Sequence, residues 1–175
     1  AADMNNHQWF GIVSNYNRDL TEHLSFNLGF DLRDYKGEHY RQVTDLLGAS
    51  SISHEIKTLD PFSRNNYETS NTYSTNPWKT WGDKPSTKED RLAWDYEQKI
   101  RYGGLFGQME FAKNGFTAFV QGSVSHQQNN RIDPYQYTNG NAKSADVNNW
   151  GYNIKGGSSY TVGQHSIFAN AGIYS

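Results

Sequence analysis

The stretch "LSFNLGFDLRDY" (24–35) decides the fold: Leu24, Phe26, Leu28, Phe30 and Leu32 are apolar, and Ser25, Asn27, Gly29, Asp31 and Arg33 fill the positions between them. Side chains alternate across a β-strand, so such a segment is oily on one face and polar on the other. Five further stretches, near 7–17, 92–111, 116–126, 149–160 and 165–175, carry comparable alternation, giving six expected strands and no convincing helix. Phe10, Ile12, Ser14 and Tyr16 share a face in the first of these. Val120 and Val124 share one in the fourth strand, Ile154 joins Trp150 and Tyr152 in the fifth, and Ile167, Ala169, Ala171 and Ile173 line the sixth. In 92–111 the apolar phase changes from Trp94, Tyr96 and Ile100 to Leu105, Gly107, Met109 and Phe111, which predicts a β-bulge at Gly103–Gly104.

The connections between strands alternate in length. "RDLTEH" (18–23), "AKNG" (112–115) and "TVGQ" (161–164) are short, whereas 36–91 and 127–147 are long and polar. An antiparallel up-and-down sheet then gathers its tight turns at one end and its long loops at the other, as outer-membrane barrels do. Soluble strands average about 5–6 residues, and a tilted membrane strand needs about 9–11, the length these segments reach. Aromatics on the expected outer face fall in two bands: Phe10, Trp94, Tyr96, Trp150 and Tyr152 near the loops, and Tyr16, Phe111, Phe116 and Tyr160 near the turns. Bilayer interfaces select such girdles. Tyr35 points the other way. The expected fold is therefore all-β, an antiparallel up-and-down transmembrane β-barrel of which residues 1–175 supply about six strands as a single sector. Lipid-facing side chains would be Leu24, Phe26, Leu28, Phe30, Leu32, Val120, Val124 and Ile154. A soluble all-β module that binds carbohydrate or another ligand through loop aromatics is the alternative, since sandwiches also bury one strand face.

Composition removes other classes. The 175 residues carry a formal net charge of -2, which provides no basic field for nucleic acid. Cysteine is absent, so neither disulfides nor thiolate metal sites arise. Aromatics reach 15% in a chain of mean hydropathy -0.88; polar loops and lumen faces dilute a lipid band in the same way. The N-terminal stretch does not read as a signal peptide. His7, His23, His39, His54, His126 and His165 are scattered, without a zinc-protease spacing, and no nucleophile elbow or phosphate loop is present. Neither an enzyme nor a resident metal or cofactor is expected.

"NNHQWFGIVSNYNRDLTEHLSFNLGFDLRDYKGEHYRQVTDLLG" (5–48) and "YGGLFGQMEFAKNGFTAFVQGSVSHQQNNRIDPY" (102–135) resemble hairpins of TonB-dependent outer-membrane receptors. The resemblance covers about two thirds of the chain and is weakest in the middle loop. It implies a bacterial outer-membrane barrel of many strands around a plug domain. Such a barrel imports a scarce nutrient (a glycan, a metal chelate or similar) and is driven by the TonB–ExbB–ExbD complex through an N-terminal box. Some relatives also carry a surface lipoprotein lid. Neither plug nor box is found in these residues, and six strands are too few to close a membrane barrel, whose smallest single-chain form has about 8. The chain thus reads as a sector whose partners are lipid, the rest of the barrel and its plug.

Expected ligand contacts lie on the long loops: Tyr67, Tyr73, Trp78 and Trp81 on the first, and Arg131, Asp133, Tyr135 and Tyr137 on the second. Flat aromatics among polar neighbours can stack on a sugar or cover an apolar chelate, though loop packing employs the same residues. Asp31, Arg33, Glu110 and Lys155 are expected on the lumen side.

Overall fold

The computed structural model describes residues 1–59, 61–76, 86–138 and 140–175. All six expected strands form, and most run past their expected ends. They are β1 (Ala2–Thr21), β2 (Leu24–Gln42), β5 (Arg91–Lys113), β6 (Phe116–Ile132), β7 (Val147–Val162) and β8 (His165–Tyr174). They make one antiparallel sheet in the order β1-β2-β5-β6-β7-β8, and no closed barrel is seen among the described residues. The stretch 36–91 is not all loop: β2 continues to Gln42, and a separate hairpin pairs β3 (Ile52–Leu59) with β4 (Phe62–Thr69). A single 3-10 turn, Lys88–Asp90, precedes β5. Likewise β6 runs to Ile132, and Ile132 bridges to Lys143 inside the expected second loop.

The tight turns follow from local chemistry. Asn114 and Gly115 have φ of 50° and 79°, the left-handed pair that a two-residue hairpin turn requires. Gly163, with φ of 61°, opens the β7–β8 turn. Register between those strands sets Ile154 opposite Ile173 and Tyr160 opposite Ile167, so the apolar positions meet on one face as their alternation requires.

Two compact units divide the chain. The first (residues 1–9, 35–99 and 129–146) holds all the buried large apolar side chains among the described residues: Tyr35, Tyr40, Val43, Ile56 and Tyr135. The second (residues 10–34, 100–128 and 147–175) has none. On one face of its strands Leu20, Phe26, Leu28, Met109, Val120 and Ile154 line a shallow apolar surface. Leu28 is 55% exposed and Ile154 53%. Leu32, Val120 and Val124 are also exposed, while Leu24, Phe26 and Phe30 are half-buried. A cleft of about 590 Å³ is lined by polar residues that include Asn15, Asn27, Gln108, Gln121, Ser123 and Asn153. Within it Asn27 donates to Asn17 at 2.5 Å and Asn153 to Ser123 at 2.5 Å.

The expected bulge at Gly103–Gly104 is absent. A side-chain carbon on Gly103 would touch Leu32, and one on Gly107 would touch Leu28, while one on Gly104 would meet the Tyr102 ring. Arg33 lies over that Tyr102 ring at 5.5 Å. Residues 103 and 107 therefore share the apolar side, 102 and 104 the other, and the strand keeps one phase. The apparent slip came from apolar residues that serve the polar side. Phe106 is another of these: it closes over Gly29, where an added carbon would lie 2.3 Å from Phe106 Cζ and 2.6 Å from the Ser14 carbonyl oxygen. Because the second contact is backbone, Gly29→Ala should cost about 1–3 kcal/mol. Denaturant unfolding in detergent measures it, and a neutral result would mean that β1 and β2 are not held this closely.

Candidate functional site

Period-two alternation in the first unit gathers an aromatic surface that loop reasoning did not anticipate. His7 and Trp9 of β1, Tyr35, His39 and Arg41 of β2, and Trp94 and Tyr96 of β5 meet on one side of the sheet. Trp9 packs on Tyr35 with ring centres 4.6 Å apart, and His39 stacks on Tyr96 at 4.9 Å. His7 stacks on Tyr35 at 5.8 Å and meets His39 edge-on at 5.7 Å. The hydrogen bonds are equally local: His7 Nδ1 lies 2.7 Å from Tyr35 Oη, and His39 Nδ1 lies 2.7 Å from Asn5 Oδ1.

Trp94 and Tyr96 were expected on the outer face with Leu28 and Phe30. They sit instead against odd-numbered residues of β2, Tyr96 on His39 and Trp94 under Arg41. The missing bulge explains this, because without a slip their phase is that of Tyr102. Tyr35, the residue that broke the girdle pattern, is buried at the centre of this group. Arg41 lies 4.2 Å above Trp94 and 2.6 Å from Asp3; Arg131 lies 4.6 Å above Tyr96 and 2.5 Å from Asp133. Each guanidinium adds a cation–π contact and is balanced by a carboxylate. Trp9 is 64% exposed, leaving an accessible indole beside Asn5, His7 and Tyr35. Flat rings ringed by amides, imidazoles and paired arginines suit a ligand with both apolar and hydrogen-bonding faces.

The expected loop contacts divide. Arg131 joins this surface. Tyr135 is buried and donates to the Arg91 carbonyl at 3.0 Å, and burial pushes its phenol up to about 12. Asp133, also buried, accepts from the Gln136 amide and from Arg131, so both residues pack the second loop. The Tyr137 amide donates to the Asp133 carbonyl. Tyr67 stacks on His54 within the β3–β4 hairpin. Trp78 and Trp81 lie outside the described residues. Asp31 pairs with Arg33 at 2.5 Å, Lys155 lies over Phe119, and Glu110 accepts from Gln108.

Tyr73 belongs to a second cluster that the sequence did not reveal. Its hydroxyl donates to Asp90, whose carboxylate also accepts from Thr69, Asn71 and Thr87. Burial pushes Asp90 up, but the donors Thr69, Tyr73, Asn71 and Thr87 outweigh it and hold the carboxyl below its usual range. Burial, and then the Asp90 charge, push Tyr73 up to about 12. Next to it, Arg91 packs 4.0 Å over Tyr40 and pairs with Asp95 at 2.5 Å. Burial nonetheless pushes the Asp95 carboxyl up, against the pull of Arg91. The Asp90 contacts tie the end of β4 to the segment that precedes β5.

No family model, curated protein or solved structure matches the chain.

Proposed function

We propose that this chain is a sector of a bacterial outer-membrane importer of the TonB-dependent receptor type. The apolar face of the second unit lies against lipid, and the aromatic surface of the first unit captures a scarce nutrient. One observation carries the reading: Leu20, Leu28, Met109, Val120 and Ile154 of the second unit line one surface and are left exposed, while amides and hydroxyls dominate the cleft lining. A water-soluble sheet of this size would cover that face with a second layer. Strand length and two-residue turns support the same reading, since β1 and β5 run 20 and 23 residues. The remainder of the barrel, a plug and the TonB–ExbB–ExbD complex are the partners this function requires. The runner-up, a soluble carbohydrate-binding module, needs Leu28 and Val120 covered, and both are exposed.

Nitroxide labels along β6 in reconstituted bilayers test the assignment. Labels at 120 and 124 should be reached by dissolved oxygen, and labels at 121 and 123 by a water-soluble nickel chelate. Equal water access at all four positions would overturn it.

A further inference from the structure

We propose that the polar cleft of the second unit binds an uncharged oligosaccharide, with Asn17, Asn27, Ser123 and Asn153 holding its hydroxyls and Phe106 supporting an apolar ring face. This site is additional to the aromatic surface of the first unit. It does not rest on the importer reading, because the cleft is lined in the same way whatever bathes the opposite face of the sheet.

The cleft, about 590 Å³, crosses five neighbouring strands, β1, β2, β5, β6 and β7, and each contributes an amide or a hydroxyl. Hydrogen bonds within the lining fix which way these groups face. Asn27 donates its side-chain N–H to Asn17 Oδ1, so Asn27 keeps its carbonyl oxygen as an acceptor and Asn17 keeps its own N–H donors. Asn153 donates to Ser123 Oγ, so Asn153 keeps Oδ1 and the Ser123 hydroxyl hydrogen is left to donate elsewhere. Neither pair has another side-chain partner among the described residues. Each pair therefore offers one acceptor beside one donor. A sugar hydroxyl both donates and accepts, and two on adjacent carbons match such a pair. The strand order puts β5 between β2 and β6, so the pairs stand roughly 10 Å apart by strand spacing. That span suits linked rings better than a single one.

Phe106 of β5 occupies the middle. Gly29 lets its ring lie against the sheet, since a side-chain carbon there would come 2.3 Å from Phe106 Cζ. The ring lines the cleft and provides a platform for the C–H face of a sugar. Gln121, half-buried on β6, also lines the cleft and makes no hydrogen bond through its side chain among the described residues. Charge separates this ligand from the alternatives. Arg18 is the one cation of the described lining and adjoins Asp19 in the chain, while the other carboxylate, Glu110, accepts from Gln108. No surplus cation awaits an anionic chelate, and no metal-holding group of acidic or histidine side chains occurs among the described residues.

Saturation-transfer resonance on the detergent-solubilised full chain tests the site, with maltotriose and cellotriose as neutral probes and trigalacturonate as the charged comparison. At least one neutral probe should bind with a millimolar dissociation constant, and trigalacturonate roughly tenfold more weakly. Asn27→Ala and Ser123→Ala should each weaken the neutral sugar about fivefold, the scale of one hydrogen bond. Phe106→Leu should weaken it about three- to tenfold through loss of the ring platform. Gln121→Ala takes its place if that variant fails to fold. Neutral probes that do not bind, or trigalacturonate bound as tightly as they are, would overturn the proposal. Binding unmoved by the cleft variants and lost in Trp9→Ala would assign the sugar to the first unit's aromatic surface and overturn it equally. Failure of the nitroxide pattern would instead remove the importer reading and leave these affinities as they are.

Discussion

On the proposed membrane reading, Leu28→Arg should destabilise the sheet in a bilayer by about 2–4 kcal/mol, the cost of a cation near the midplane of a membrane strand. Leu28 is suited to the test because it lies on the uncovered apolar surface, in contact range of the Gly107 position on the neighbouring strand. On a water-facing strand the same change would stay within about 0.5 kcal/mol, since a half-exposed leucine loses little when replaced by a long, solvated side chain. Folding into vesicles by urea titration measures the difference. Arginine tolerated at that position would mean that water, not hydrocarbon, bathes the surface, and the importer assignment would fail.

Asp90→Ala should loosen the first unit locally by about 3 kcal/mol, the scale of hydrogen bonds to a charged acceptor. Thr69, Asn71, Tyr73 and Thr87 would lose their common partner, and Thr69 is 2% exposed, with little water to replace it. The readout is amide exchange at Tyr73, whose N–H bonds the Val43 carbonyl, and at Asn71, whose N–H bonds the Thr69 hydroxyl. Both should exchange faster, while β7 and β8 keep their protection. Asp90→Asn, which keeps an acceptor but loses the charge, should fall between. The pH dependence has a definite sign. The folded Asp90 carboxyl lies below its ordinary value of 3.8, so its contribution is complete at neutral pH and is lost only as the pH falls below that value. Unchanged exchange in the alanine variant would show that the cluster is not what holds this segment.

Strand positions were legible in the sequence because one physical quantity, apolar alternation, governs them. "LSFNLGFDLRDY" states its two faces residue by residue, and Asn114–Gly115 names its own turn. The β3–β4 hairpin was not legible. Of "ISHEIKTL" only Ile56 and Thr58 are buried, so its alternation is faint, and it lies inside a stretch dominated by polar residues. Trp94 and Tyr96 misled for a different reason. Aromatic rings serve both faces of such a sheet, and an even-odd count that treats every ring as outward invents a bulge to keep the count. Arg33 over Tyr102 and His39 on Tyr96 supply the phase that hydrophobicity alone could not. The aromatic surface escaped the sequence because its members are dispersed over three strands, and only pairing brings residues 7, 39 and 96 into contact. Asp90 was equally hidden, since its donors lie 3 to 21 positions away, at the end of β4 and on irregular backbone.

The order β1-β2-β5-β6-β7-β8 leaves one long margin of β1 and one of β8 with amides and carbonyls that bond to no described strand. Such margins are templates for recruiting further strands. Expressed by itself, the chain should therefore self-associate through them into heterogeneous, thioflavin-positive assemblies. Proline or lysine at a β8 position whose backbone groups point away from β7, Asn170 among them, should suppress that polymerisation.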